Sequence, residues 1–340
     1  MSILKSFNKR VNIFKNFDFK VGMADLFATN IFTPSLRLKD KIKLAWLKEN
    51  FSYVIDKYNS ISSETLAATV RGGVSAADGG LNAQTQKAAM PPVWVLWLQG
   101  EDAMPEIIKA CYKSVKANAA NHPVKLITQE NLKDYIKLPE HIFNLLNSKK
   151  MTLNAFANLC RLYLLYNYGG LWLDATIFIT SEIKPEVFDL PFYSIKREIN
   201  FKSRNVALGR WTTFLLAAKP GNILCRAVLD LLTEYWRVKD VLIDYELFDY
   251  FIYLAYENIP ACKAMIDNLN LNNPDLYALS KLLNSEFNQD KFDDITSRTQ
   301  FFKLTHKQKF NKLINDNKTF YAHILEQYKF FGRSDYLRGL

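Results

Sequence analysis

A chain of 340 residues that is 49% hydrophobic and 14% aromatic carries enough apolar surface to close a large core, which excludes a disordered protein. Lysine and arginine exceed aspartate and glutamate by 44 to 34, so the surface favours anionic partners such as sugar nucleotides, acidic lipids or nucleic acid. Four cysteines, Cys111, Cys160, Cys225 and Cys262, form no CxxC pair, which argues against a zinc knuckle or a disulfide framework and fits a reducing cytosol. The apolar runs fall short of the roughly 20 residues of a membrane span, and the N-terminus shows no signal-peptide pattern, so the expectation is a cytoplasmic protein that is neither secreted nor spanning.

Ile3, Leu4, Phe7, Val11 and Phe14 recur at helical spacing among Lys5, Lys9, Arg10 and Lys15. Residues 2–16 thus read as a short basic amphipathic helix, for peripheral contact with an acidic membrane or for packing on its own domain. A second helix is expected over 36–58. The small and glycine residues of 71–80 break any periodicity and lack the GxxxxGK[ST] pattern of a phosphate cradle, so they read as a linker. Residues 1–90 form an N-terminal helical segment and flexible loop, and 91–340 the main domain.

Val93-Trp94-Val95-Leu96-Trp97-Leu98 is a continuous apolar run, as expected of a strand buried on both faces. Pro105 and Glu106 open a helix that Asn121-His122-Pro123 stops, and Val124 to Thr128 follow as a second, parallel strand. Ligands bind such sheets beyond the carboxyl ends of the strands, which places Trp97, Gln99, Gly100 and Thr128 near the site. Helices follow over 139–148 and 152–167, then a Gly169-Gly170 stop and a strand over 171–179. Further helices are expected over about 222–236, 240–257, 261–269 and 275–284.

Asp174 lies in an otherwise apolar strand, where an unpaired carboxylate costs several kcal/mol. Asn154, Asn158 and Arg161 share one face of the preceding helix, so Arg161 is its natural partner. The spacing fits a structural ion pair and a ligand-binding pair equally.

The run from Asn154-Ala155-Phe156-Ala157-Asn158-Leu159-Cys160-Arg161 through Tyr168-Gly169-Gly170-Leu171-Trp172-Leu173-Asp174-Ala175-Thr176 resembles the signature of the capsular polysaccharide synthesis family. That family is similar to the glycosyltransferases with a DXD motif in their sugar-binding region, the glucosylating bacterial toxins among them. Trp94 to Glu101 resembles the family's first strand, and Asp134-Tyr135 with Pro139-Glu140-His141-Ile142 fits the segment between. The resemblance implies an α/β, GT-A-like Rossmann-type central sheet flanked by helices, with additional N-terminal and C-terminal helices. It implies a hexosyltransferase-like enzyme, retaining at the anomeric carbon, that takes a nucleotide-sugar donor, with UDP-sugars foremost, and a polysaccharide or lipid-linked glycan acceptor.

By the same resemblance Trp97 stacks on the donor's base, Gln99, Gly100 and Gly170 flank the donor, Arg161 binds its phosphates or sugar, and Asp174 holds ribose, sugar or metal. Asn158 stands where the wider class has aspartate, which leaves a neutral hydrogen bond to the sugar. Thr176 stands at the second acid of DXD. The implied cofactor is a divalent cation, Mn²⁺ or Mg²⁺, held by Asp174 with help from His323 in the apolar segment 321–325, which reads as a strand and where a core histidine is the alternative. Asp244 faces the acceptor hydroxyl as base or orienting group, and Asp249 is a solvated helix-surface charge. Dispersed positive residues and the lack of a recognised module argue against nucleic acid. The alternative function is a catalytically silent sugar-nucleotide-binding or assembly protein of the same fold.

Overall fold

The computed structural model describes residues 11–28, 31, 36–59 and 90–328. The linker at 71–80 and most of the amphipathic segment 2–16 lie outside these; residues 11–16 are helical. Along the chain come α1 (Phe19–Phe27), α2 (Leu38–Asn59), β1 (Val93–Leu96), α3 (Glu106–Asn118), β2 (Val124–Ile127), α4 (Leu132–Tyr135), α5 (Glu140–Asn147) and α6 (Leu153–Tyr168). Next are β3 (Gly170–Leu173), β4 (Ile177–Ile179), α7 (Glu186–Asp189), β5 (Phe192–Ser194), β6 (Leu215–Ala218), α8 (Ile223–Val238) and α9 (Leu247–Asn258). The chain continues through α10 (Pro260–Asp267), α11 (Ala278–Leu282), α12 (Gln289–Arg298), β7 (Phe301–Lys303), β8 (Leu313–Ile314), β9 (Asn317–Lys318) and α13 (Phe320–Gln327).

The class is α/β, with a five-stranded mixed sheet in the order β2-β1-β3-β6-β5 and helices around it. β1 pairs parallel with β2 and β3, while β6 runs antiparallel to β3 and β5. Val93, Trp94 and Val95 of β1 and all four residues of β3 are buried, the pattern of strands covered on both faces. Trp94 and Trp172 fill the centre of the core, and Trp94 Nε1 donates to the Gly169 carbonyl at 2.9 Å. Among the described residues no helix is long and apolar enough to cross a membrane.

The expected strand 171–179 is in fact two. β3 ends at Leu173, residues 174–176 turn, and β4 pairs with β7 in a separate two-stranded sheet, Ile177 facing Lys303. The apolar residues on both sides hide this break, because each half is buried in its own sheet. The expected helix 240–257 starts only at Leu247, and the expected strand 321–325 is instead helical, within α13.

α2 packs against α8 and α9 and shares their core through Leu44, Leu47, Phe51 and Val54. Charged groups fasten its first turns. Arg37 pairs with Asp40 at 2.7 Å and Glu246 at 3.0 Å, and Lys39 and Lys43 reach Asp244 at 2.6 and 2.7 Å. The Lys43 side chain is fully buried, which only paired carboxylates make tolerable.

Gly170 starts β3 with φ +94°, and a Cβ there would lie 2.1 Å from the Pro92 carbonyl oxygen. The glycine lets β3 come beside β1, where Leu171 N–H donates to that same oxygen at 2.9 Å. Gly100, with φ +81°, has nothing within 4 Å of a built Cβ. Gly170→Ala combines a backbone clash with left-handed strain and is expected to cost upwards of ~3 kcal/mol, whereas Gly100→Ala costs about 1–3 kcal/mol from conformation alone. Equal losses in urea melts of the two variants would show that close approach at Pro92 does not govern the sheet.

Candidate active site

The parallel strands β1 and β3 point their carboxyl ends toward one cavity of about 470 Å³. Its walls come from the end of β1, the first half of α6, the 174–176 turn, the approach to α9 and residues 306–307 after β7. α6 presents its polar face here because Thr152 caps it, accepting from Ala155 N–H, while Phe156, Leu159 and Cys160 on other faces are buried in the core. Trp97, Gln99, Asn158, Arg161, Asp174 and Thr176 all line this cavity.

Arg161 is 5% exposed and pairs with Asp174, Nη2 to Oδ1 at 2.9 Å. Its Nη1 donates to the Thr213 carbonyl, and the guanidinium lies 5.0 Å from the Trp172 ring and 5.3 Å from that of Phe248. Nε is buried without a protein partner. Trp172 Nε1 also donates to Asp174 Oδ1, at 3.1 Å. The other oxygen, Oδ2, accepts from Lys303 Nζ at 2.9 Å. Burial pushes the Asp174 carboxyl up, but the charges of Lys303 and Arg161 outweigh it and hold the group below the usual carboxylate range. One negative charge thus faces two positive ones, and His306 and Lys307 stand on the same cavity wall.

Trp97 meets His306 edge-on at 5.9 Å between ring centroids, and its buried indole N–H has no protein partner. Gly100 follows the wall residue Gln99 without lining the cavity, and Gly170 sits at the far end of β3 from Asp174. Neither His323 nor Asp244 is brought to the cavity. His323 stacks on Phe287 at 3.8 Å inside the α13 packing, the core alternative that its sequence context left open. Asp244 is held by Lys39 and Lys43, whose charges overcome burial and keep its carboxyl well below the usual range.

The acid that does face the cavity is Asp249, which the sequence reading placed on a solvated helix surface. It accepts from Trp211 Nε1 at 2.9 Å. Burial pushes its carboxyl up to about 6, against hydrogen bonds from Trp211 and Asn205 and the charge of Arg161. His306, Lys307 and Tyr245 of the cavity wall are not indicated by the sequence, and neither is Lys303, which does not itself line the cavity but reaches the wall residues Asp174 and Thr176 once β7 pairs with β4.

A hard divalent cation needs oxygens free to bind it. Both oxygens of Asp174 already accept from charged or indole donors, Thr176 Oγ1 accepts from Lys303 at 2.6 Å, and among the described residues no three His, Cys, Asp or Glu side chains gather. This donor set does not fit Mn²⁺ or Mg²⁺.

Because the folded pKa of Asp249 lies above the unfolded value of about 4, ionising it costs the fold stability as pH rises from about 4 through about 6. Asp249→Asn keeps an acceptor for Trp211 and removes that cost. Its melting temperature relative to the parent is therefore expected to rise between pH 4.5 and pH 7.5, levelling above about 7. A difference independent of pH would show that Asp249 titrates normally.

No curated protein matches the sequence. Among solved structures, one titled PaToxG Glycosyltransferase is similar at 12% identity and a TM-score of 0.39, over 67% of this chain and 84% of that one. Neither fold nor chemistry is transferred at that level of likeness. A family model described as capsular polysaccharide synthesis protein matches residues 35–324, most of the chain and every wall of the cavity, and the chain belongs to that family.

Proposed function

We propose that the chain is a glycosyltransferase that moves a sugar from a nucleotide-activated donor, a UDP-sugar in the first instance, to a glycan or lipid-linked acceptor in surface polysaccharide synthesis. The observation that carries this reading is the convergence of Trp97, Asn158, Arg161, Asp174 and Thr176 on one cavity of a size suited to such a donor. Family membership supports it. The net positive surface suits work beside an acidic membrane, where a lipid-linked acceptor is presented.

In this reading the indole of Trp97 offers a flat face to the base, and its unpartnered N–H finds an acceptor on the ligand. The diphosphate lies at the wall formed by the cations Arg161 and Lys307, with His306 beside them. The sugar reaches toward Asn158 and Asp249. The bond between the anomeric carbon and the β-phosphate oxygen breaks, its electron pair stays on that oxygen, and the acceptor oxygen bonds to the carbon. For transfer with retention, the departing phosphate takes the acceptor's hydroxyl proton on the same face, so positioning and charge stabilisation carry the step without a strong side-chain base. Asp249, ionised above about pH 6, opposes the positive charge that develops on the sugar ring.

A panel of nucleotide sugars screened by thermal melting tests the donor. A ligand at about 100 times its Kd adds about 2.7 kcal/mol to the folded state, a shift of several degrees. Asn158 separates binding from folding, because its side chain lines the cavity with no hydrogen bond to the protein among the described residues. Asn158→Ala is expected to melt within about 1 °C of the parent and to bind the donor about 10-fold more weakly. Unchanged donor affinity in that variant removes the cavity from the donor site, and binding without hydrolysis or transfer to any acceptor points to a silent binding protein.

A further inference from the structure

The turn at 174–176 closes around a cation that belongs to the chain itself. Lys303 Nζ stands 2.9 Å from Asp174 Oδ2 and 2.6 Å from Thr176 Oγ1, bridging the first and third residues of the turn. Several independent contacts put it there. The register of β7 on β4 sets Lys303 opposite Ile177, and Leu304 N–H donates to the Thr176 carbonyl at 2.9 Å. The Phe214 ring lies 4.6 Å from the ammonium.

An ammonium carries three N–H donors. Asp174 and Thr176, both on the cavity wall, take two, and among the described residues the third has no protein acceptor, on a side chain that stands just behind that wall and remains 21% exposed. Asp174 is outnumbered by Arg161 and Lys303, so the turn is a net positive patch. A further cation placed there meets like charge, while an anion is attracted and finds an unused donor.

We propose that Lys303 is the resident cation of the donor site, taking at Asp174 and Thr176 the place of a divalent ion and neutralising the donor's diphosphate, so that donor binding needs no metal. This rests on the activated-sugar reading of the cavity. As the glycosidic C–O bond breaks and its electron pair moves onto the β-phosphate oxygen, Lys303 stays protonated and its free N–H donates to the growing charge. The acceptor oxygen bonds to the anomeric carbon and its proton passes to the departing phosphate, so no proton leaves the lysine.

Calorimetry with uridine diphosphate, and with inorganic pyrophosphate as a probe lacking base and sugar, tests this on the full chain. Each titration is run in excess EDTA and in millimolar MnCl₂. The parent is expected to bind uridine diphosphate in excess EDTA, and no more tightly in millimolar MnCl₂, where the ion competes for the nucleotide. Lys303→Met keeps an unbranched side chain without the charge and is expected to weaken both probes by about 10-fold or more, and Lys303→Arg to restore most of that loss. Melting curves confirm that the variants fold. Electron paramagnetic resonance of Mn²⁺ with the parent and uridine diphosphate needs no variant: no protein-bound Mn²⁺ signal should appear when protein is added, only free ion released as the protein takes up the nucleotide.

Affinity that tightens about 10-fold with Mn²⁺, a protein-bound Mn²⁺ signal, or a folded Lys303→Met chain that binds as the parent does overturns the proposal and leaves the donor site standing. A folded parent that binds neither probe in either buffer overturns both.

Discussion

Everything at the cavity depends on one carboxylate kept in a place where water cannot reach it freely. Asp174 follows the fully buried strand β3 at the start of the turn, and its charge persists because Arg161 and Lys303 hold one oxygen each while Trp172 adds a third donor. Asp174 itself is 31% exposed, so losing one cation leaves it with the other and with solvent, whereas losing Asp174 strands the Arg161 guanidinium, only 5% exposed, without its counter-ion. The set therefore ties α6, β3 and β7 to one another at the point where the cavity opens. Arg161, Trp172 and Asp174, which make these ties, also line the cavity.

The electrostatics of the cavity are divided. The turn, Arg161 and the 306–307 segment supply positive charge suited to a diphosphate, while Asp249 on α9 supplies an acid whose burial keeps it half-way to neutral near pH 6. A second buried charge set, Asp244 with Lys39 and Lys43, pins α2 beside the start of α9 and so sets where Asp249 stands. Acids five residues apart thus have opposite tasks: Asp244 is consumed in packing the N-terminal helix, and Asp249 is left to the cavity.

Much of this was legible in the sequence, for reasons that are local. The apolar run at 93–98, the proline-opened helix and the strand at 124 identify the βαβ unit, and helical spacing alone made Arg161 the partner of Asp174. What escaped depends on contacts between residues far apart. Lys303 lies 129 positions from Asp174, and no periodicity indicates that residues 177–179 leave the main sheet to pair with 301–303. Asp244 was mistaken for a site residue because helical periodicity extended α9 back to 240, and only the lysines of α2 show where its charge is spent. His323 drew attention as a histidine late in the chain, but it stacks in the α13 core, and the histidine at the cavity is His306.

The central claim is that the indole at the end of β1, the arginine of α6 and the turn after β3 bound a single pocket for an activated sugar. A crystal structure of the full chain grown with UDP-glucose tests it most directly. The expected density has the base beside Trp97 and the diphosphate between Arg161 and the 174–176 turn, within hydrogen-bond reach of Lys303. Nucleotide bound on another face of the protein, with this cavity empty, would contradict it.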